Sequence, residues 1–147
     1  MDRTSLAVAD RLTAAGERVT RQRLLVANAL AGSGRRLTAD ELYRALRRRE
    51  SGIGRATVFR TLETLVEAGV ARRFELDGHV HAYVACLPAH HHHIACTRCG
   101  RVEEIDEAYV TPLIARLAEE MSFEIDDARL DFYGRCATCR TESAAPA

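Results

Sequence analysis

The chain has 147 residues, 47% hydrophobic and 29% charged, a length that accommodates one domain or two small ones. Its apolar stretches are too short to cross a bilayer and its N-terminus lacks a signal-peptide pattern, so we expect a cytoplasmic location. The formal net charge is zero, but residues 1–76 hold 15 arginines against 9 acidic residues, whereas residues 77–147 hold 6 against 12. A basic half joined to an acidic half predicts that one part contacts a polyanion.

The first half of the chain predicts helices followed by a β-hairpin. Helices are expected over residues 6–15, from Thr20 to about residue 30, from Thr38, and over about residues 55–68. Thr20 is a predicted N-cap, and Thr38 with Glu41 forms a predicted capping box. Strand-like runs at residues 70–76 and 80–86 flank an Asp77-Gly78 turn signal. This order predicts a winged helix-turn-helix domain over residues 1–86, with its wing at about 70–86.

The second half predicts a small mixed domain over residues 87–140. We expect a strand near residue 93, a strand over 102–105, a helix over about 108–121 and a last strand near 130–133. The tail, residues 141–147, is expected to be disordered. Because so few short elements bury little area, zinc and dimerisation are expected to supplement the core. The predicted fold class is α+β.

Four of the five cysteines form two Cys-x-x-Cys pairs, Cys96/Cys99 and Cys136/Cys139. Each short loop delivers two sulfurs from one side of a metal, which is what a tetrahedral zinc ion needs. A thioredoxin-like redox role is the alternative, but the βαβ context of such a motif is absent and two pairs occur. The sequence therefore predicts one structural zinc ion per chain.

A DNA-reading helix is predicted at residues 55–68. The second helix of a helix-turn-helix lies in the major groove with its first residues at base edges. Side chains there can donate to bases and phosphates or contact a thymine methyl. The candidate DNA contacts are Arg55, Thr57, Phe59, Arg60 and Thr61, with Arg21 from an arginine cluster that also contains Arg18 and Arg23. The alternative is an amphipathic helix whose arginines are merely solvated.

Four motifs together resemble the ferric uptake regulator family. They are Arg55-Ala-Thr-Val-Phe-Arg-Thr-Leu62, His90–His93, Cys96-x-x-Cys99-Gly100 and Tyr133-Gly-x-Cys-x-x-Cys139. The likeness spans about residues 5–140, with Phe59 where the family usually has tyrosine. It implies a homodimeric, metal-responsive bacterial repressor of operator DNA, with an N-terminal winged helix and a C-terminal α/β dimerisation domain. No membrane and no small-molecule substrate are expected as partners.

The resemblance also implies an exchangeable sensing site. In the zinc uptake branch, this site takes a cysteine at the end of the wing and alternate histidines of the run, here Cys86, His91 and His93. A thiolate ligand favours zinc over iron or manganese. The expected fourth ligand is replaced by Arg72, which cannot ligate a cation. His81, or else His79, is the candidate substitute.

A second regulatory site is implied for His90 and His92. Its other two family positions read Thr111 and Ala128 here, so the site looks degraded. Glu107, Asp126 and Asp127 are the acids that could compensate.

Rival functions follow from the same residues. Within the family, the alternative is an iron-, manganese- or peroxide-responsive regulator, for which the chain lacks the expected carboxylate ligands. A zinc hydrolase or deaminase would need an open coordination position beside a general base, and no glutamate adjoins the histidine run. We therefore expect no enzyme activity. A zinc-storage or interaction module is the remaining alternative, and it would lack sequence-specific DNA binding.

Overall fold

A computed structural model of the protein describes residues 2–87 and 92–144. The chain divides into two compact units, Met1–Ala89 and His90–Ala147, with the division three residues later than the sequence predicts. No helix in the described ranges is long and apolar enough to span a membrane.

The first unit contains four helices and a three-stranded antiparallel sheet. The helices are α1 (Arg3–Ala14), α2 (Arg21–Ser33), α3 (Ala39–Arg47) and α4 (Arg55–Glu67); the strands are β1 (Leu37–Thr38), β2 (Ala71–Leu76) and β3 (Val80–Ala85). The strands lie in the order β1-β3-β2. Apolar side chains from every helix share one core, which includes Leu12, Leu30, Leu42, Leu62 and Tyr83.

Local signals fix the ends of these helices. The Thr20 hydroxyl accepts a hydrogen bond from the Arg23 backbone at 3.3 Å, as an N-cap does. The Thr38 hydroxyl accepts from the Glu41 backbone at 3.2 Å, while the Glu41 carboxylate accepts from the Thr38 backbone at 2.8 Å. The predicted N-cap and capping box are therefore both present. Gly78, with φ 76°, sits in the hairpin turn, a conformation that favours glycine.

The second unit is a three-stranded sheet with two helices. Its elements are β4 (His92–Cys96), β5 (Val102–Ile105), α5 (Glu107–Met121), β6 (Asp131–Gly134) and α6 (Ala137–Ala144). β4 is the central strand, antiparallel to β5 and parallel to β6. This parallel pairing brings the chain after β6 back to the cysteine knuckle that follows β4.

The predicted disorder of the tail is wrong for residues 141–144, because α6 extends to Ala144. Residues 145–147 lie outside the described part of the chain. The helix begins directly after Cys136 and carries Cys139, so a short segment that reads as a polar tail is attached to the cysteine cluster.

Candidate metal centre and DNA-binding surface

The four paired cysteines converge at one end of the second unit. Cys96 ends β4, Cys99 follows in the turn, and Cys136 and Cys139 flank the start of α6. Their sulfur atoms all lie within 4.8 Å of one another, and the Cys99 and Cys136 sulfurs are 3.8 Å apart. Zn–S bonds of about 2.3 Å place the sulfurs of a tetrahedral site about 3.8 Å apart. The donor set therefore fits zinc, and four thiolates leave no position for a reacting water.

Backbone pairing holds the two cysteine loops together. Cys96 is in register with Gly134 across the parallel strands, and the Thr97 backbone donates to the Gly134 carbonyl at 2.7 Å. The Cys136 backbone N–H points at the Cys96 sulfur at 3.4 Å. Gly100, with φ 76°, lets the knuckle turn back so that its own N–H reaches the Cys96 carbonyl at 3.0 Å.

The pKa values of Cys96 and Cys139 are shifted in opposite directions. Backbone N–H groups of Cys99 and then Cys136 lower the pKa of Cys96 to about 5, because they stabilise its thiolate. Desolvation, and then the neighbouring thiols, raise the pKa of Cys139 to about 12. Cys96 is thus ready to bind a cation, whereas Cys139 must release a proton on binding, which makes metal affinity depend on pH.

Cys86 lies outside this cluster, in the first unit. Its backbone N–H donates to the Val70 carbonyl at 2.8 Å, which extends the β2–β3 pairing beyond Ala85. His81 lies five residues earlier along this extended strand, about 16 Å away and with its side chain on the opposite face. His79 lies in the turn beyond it, where its Nδ1 is 3.0 Å from a Glu75 carboxylate oxygen. Neither histidine can share a metal ion with Cys86 of the same chain, and both leave the candidate ligand set.

The arginines predicted to contact DNA at the helix starts already have partners. The Arg55 guanidinium lies 3.2 Å from the Asp40 carboxylate and 5.5 Å from the centre of the Tyr43 ring. Arg21 donates to both carboxylate oxygens of Glu50, at 2.9 and 3.0 Å. Both side chains stay largely exposed, so these surface pairs are weak enough to exchange for phosphate.

The remaining predicted contacts lie along α4. Arg60 is exposed, Phe59 is 48% exposed and Thr57 is half-buried. Thr61 is only 6% exposed, although it is among the residues that line a groove beside α4. Contact between its hydroxyl and a phosphate stays a prediction.

A groove of about 440 Å³ lies between the start of α2 and α4. Its lining is basic and hydroxyl-rich: Arg18, Thr20, Gln22, Arg23, Thr57, Arg60, Thr61 and Thr64. Arg23 pairs with Glu17 at 2.9 Å. Within the described residues, the exposed Arg18 and Arg60 have no acidic partner, so they carry the available positive charge of this groove. Gln22 and Thr64 were not predicted, since only the packing of α2 against α4 brings them to one surface.

Comparison with known proteins decides the family. The profile described as "Ferric uptake regulator family" matches residues 14–133. The chain belongs to the ferric uptake regulator family. It is 33% identical over 130 residues to the zinc uptake regulation protein of Mycobacterium tuberculosis, covering 88% of this chain and all of that one. It is 32% identical over 133 residues to the ferric uptake regulation protein of Legionella pneumophila, covering 90% of this chain and 98% of that one.

A solved structure named as a zinc uptake regulator complexed with zinc and DNA is similar over the whole length. It has a TM-score of 0.69 and 27% identity, covering 99% of this chain and 100% of that one. Membership of the family makes this chain a metal-responsive transcriptional regulator and not an enzyme. The four-cysteine cluster agrees with that conclusion, because it offers no open coordination position.

The residues considered for a second regulatory site lie close together in the second unit. Thr111 and Ala128, the positions that read as degraded, line one cavity of about 350 Å³ together with Glu107, Asp126 and Asp127. His92 is only 2% exposed; its Nδ1 accepts a hydrogen bond from the Leu130 backbone at 3.1 Å. Its Nε2 lies 3.4 Å from a Glu107 carboxylate oxygen. The ring therefore has protein neighbours at both nitrogens, and metal binding by His92 stays a prediction.

Two predicted ligands of this regulator, His90 and His91, lie outside the described residues. His93, the other histidine assigned to the sensing site, is 1% exposed in the centre of the second sheet. Among the described residues, the four cysteines are the one group of three or more possible ligands that lie close together.

Proposed function

We propose that this chain is a zinc-sensing repressor that binds operator DNA as a metal-loaded homodimer in the cytoplasm and represses metal-uptake genes. Similarity to proteins named as zinc uptake regulators, one of them solved with zinc and DNA, supports zinc as the sensed metal and DNA as the binding partner. The ferric uptake regulation protein of Legionella pneumophila is almost as similar, which keeps an iron-, manganese- or peroxide-responsive regulator as the second candidate.

The observation that carries the zinc assignment is Cys86. It is a fifth cysteine outside the four-sulfur cluster, half-buried at the end of the wing and not in a disulfide. Soft thiolate ligands select zinc, whereas iron(II) and manganese(II) sensors rely on carboxylate and imidazole ligands.

We assign two zinc ions to each chain. The structural ion belongs to Cys96, Cys99, Cys136 and Cys139, whose four thiolates form a closed site. The exchangeable ion belongs to Cys86, His91 and His93, a set that rests on the family resemblance and on ligand chemistry. His90 and His92 remain a candidate second regulatory pair. When bound, the exchangeable ion supplies a crosslink between chain segments and no catalytic chemistry.

Operator recognition is assigned to α4 and the groove beside it. Arg60 and Arg18 have positive charge available for phosphate or guanine, and Thr57 and Phe59 complete the exposed surface of the helix start. Arg55 and Arg21 would exchange their surface carboxylate partners for DNA. Two such helices in a dimer would match half-sites about one helical turn apart.

Exposed apolar side chains in the second unit support the dimer. Ile94 and Phe132 are neighbours in register on β4 and β6, and each is 46% exposed. Leu113, Leu117 and Met121 on α5 are also exposed. Contiguous apolar side chains at a protein surface, such as the pair Ile94 and Phe132, mark interaction sites, and a second copy of the same unit would cover them symmetrically.

The regulatory step is a shift of population. The DNA-competent arrangement of the dimer has to bind the exchangeable ion more tightly than the other arrangements, or the ion could not favour it. By reciprocity, operator DNA then raises the affinity of Cys86 and its partner ligands for zinc by the same factor. Uptake genes are consequently repressed when zinc is abundant.

The test compares the wild type with Cys86→Ser and Cys86→His. Zinc content and operator affinity are measured at buffered free zinc and fixed salt. We expect Cys86→Ser to retain one zinc per chain and its helical circular dichroism but to lose zinc-dependent operator binding. Cys86→His, which restores a zinc ligand, should recover part of the response. An unchanged zinc response in Cys86→Ser would refute the sensing assignment.

A further inference from the structure

His93 and Asp131 are fixed side by side by the register of the second sheet. They are direct partners across the parallel strands β4 and β6, and the His93 backbone N–H donates to the Leu130 carbonyl at 3.2 Å. Partners in neighbouring strands present their side chains on one face of the sheet. The Asp131 Oδ1 atom lies 3.8 Å from His93 Nδ1, with side-chain exposures of 21% and 1%.

The neighbouring carboxylate favours one position for the proton of the imidazole. A neutral histidine carries one proton, and an anionic oxygen beside Nδ1 favours the proton on that nitrogen. Nε2 is then left with its lone pair, the form in which it binds a metal ion. Carboxylates that accept from the far nitrogen of a ligating histidine orient the ring and raise its basicity. At 3.8 Å the pair is longer than a hydrogen bond, so its effect is electrostatic until a small side-chain rotation closes the gap.

The adjacent histidine provides the contrast. His92 Nδ1 accepts the Leu130 N–H, so its proton belongs on Nε2, which faces Glu107. Two consecutive buried histidines are therefore directed toward opposite tautomers by the groups beside them. Of the two rings, His93 is the one whose neighbouring carboxylate favours a lone pair on Nε2, the form that binds a metal ion.

We propose that Asp131 is a positioning residue for the exchangeable zinc site: it favours the Nδ1-protonated tautomer of His93, which leaves Nε2 as the nitrogen that would bind the metal. This inference rests on the proposed function, because it takes His93 as a sensing ligand. Glu104 is also in register with His93, on the other neighbouring strand, but it is exposed and water screens its charge.

The first experiment needs no substitution. Long-range ¹H–¹⁵N NMR of the dimer that holds only its structural zinc reads the tautomer of each histidine directly. We expect His93 protonated on Nδ1 and His92 protonated on Nε2. A His93 ring protonated on Nε2 would overturn the proposal.

The second experiment compares Asp131→Asn, Asp131→Glu and Glu104→Gln with a control, Glu103→Gln. Glu103 lies in the same sheet, in register with Ile94 on the opposite face, so the control removes the same charge away from His93. Zinc affinity of the exchangeable site is measured by chelator competition, and the Co²⁺ absorption spectrum reports the ligand geometry. We expect Asp131→Asn to weaken zinc binding about 10–100-fold with structural zinc retained, Asp131→Glu to recover part of the loss, and Glu103→Gln to change nothing.

The outcomes separate this inference from the proposed function. Equal zinc affinity in the wild type and Asp131→Asn would overturn the positioning role and leave the zinc sensor standing. A loss of zinc affinity in Glu104→Gln, with no loss in Asp131→Asn, would assign the positioning role to Glu104. That result would also overturn the proposal for Asp131. If the wild type bound no exchangeable zinc, the proposed function would fail, and the tautomer measurement would still decide whether Asp131 sets the proton of His93.

Discussion

The hydroxyl of Tyr83 donates a 2.7 Å hydrogen bond to Glu63 Oε1, which joins strand β3 of the wing to helix α4. Tyr83 is fully buried, and Arg73 on β2 donates to the other Glu63 oxygen at 2.9 Å. Burial and the Glu63 carboxylate raise the pKa of Tyr83, so the phenol stays neutral and acts as a donor. This contact fixes the wing relative to α4, the helix to which we assign DNA binding.

Tyr83→Phe should therefore lower the free energy of unfolding of the first unit. The substitution removes one hydrogen bond to a charged acceptor and keeps the buried ring, so we expect a loss of about 1.5–3 kcal/mol. Urea unfolding followed by far-ultraviolet circular dichroism measures it. Tyr109→Phe is the matched control, because Tyr109 is 81% exposed and should change nothing. Equal stabilities of the two variants would contradict the account of this contact.

Thr38→Ala should weaken α3 by removing its capping box. The loss of a threonine N-cap costs about 0.5–2 kcal/mol, and thermal unfolding would detect it. Thr13→Ala serves as the control, since the Thr13 hydroxyl bonds the Ala9 carbonyl within α1 and caps nothing. A larger effect at Thr13 than at Thr38 would show that the cap is not what stabilises α3.

Cys136→Ser should remove the structural zinc and destabilise the second unit. Three remaining thiolates bind zinc less tightly, and metal affinity here is also folding free energy. Zinc content per chain and protease resistance of residues 90–147 are the measurements. Cys86→Ser, which leaves the four-cysteine cluster intact, is the control and should keep one zinc ion. Full zinc retention in Cys136→Ser would refute the assigned ligand set.

Retention of the structural zinc should weaken as pH falls. Binding requires thiolates, and the raised pKa of Cys139 means that its proton competes with the metal over the whole neutral range. Protons are released when the metal binds, so the apparent affinity rises with pH and falls on acidification. Chelator competition at several pH values measures this slope. An affinity that does not change with pH would contradict proton release from the thiols.

Arg60→Ala should weaken operator binding by about 1–3 kcal/mol if Arg60 contacts a base edge. Arg116→Ala is the control, because Arg116 carries the same charge on α5 and pairs with Glu120 at 3.1 Å. Fluorescence anisotropy at fixed salt and saturating zinc compares the two. Similar small losses in both variants would mean that Arg60 contributes only long-range charge.

Much of this architecture could be predicted from the sequence, because its signals are local. Thr20, Thr38 with Glu41, and the Asp77-Gly78 turn each specify a boundary through contacts within four residues. The two Cys-x-x-Cys pairs predict their cluster because the ligand chemistry requires it. The helix α6 was missed because residues 137–144 lack an apolar stripe, and its position depends on the cysteine cluster at its start.

The errors at the candidate site arose from contacts between distant residues. His81 and Cys86 lie in one short sequence segment, but five residues of extended strand place their side chains far apart and on opposite faces. Thr61 is buried where α4 packs within the first unit, and the local pattern of polar residues does not reveal this burial. Asp131 lies beside His93 only because β6 pairs parallel to β4, and a parallel register cannot be read from either strand alone.

The central claim, a zinc-sensing repressor, is tested most directly by titrating operator affinity against buffered free Zn²⁺, Fe²⁺ and Mn²⁺. The reduced wild-type protein and the DNA upstream of its own gene are used at fixed salt. We predict tight binding switched on by zinc at free concentrations where iron and manganese have no effect. Binding switched on by iron or manganese, with zinc ineffective, would contradict the zinc assignment and the role given to Cys86.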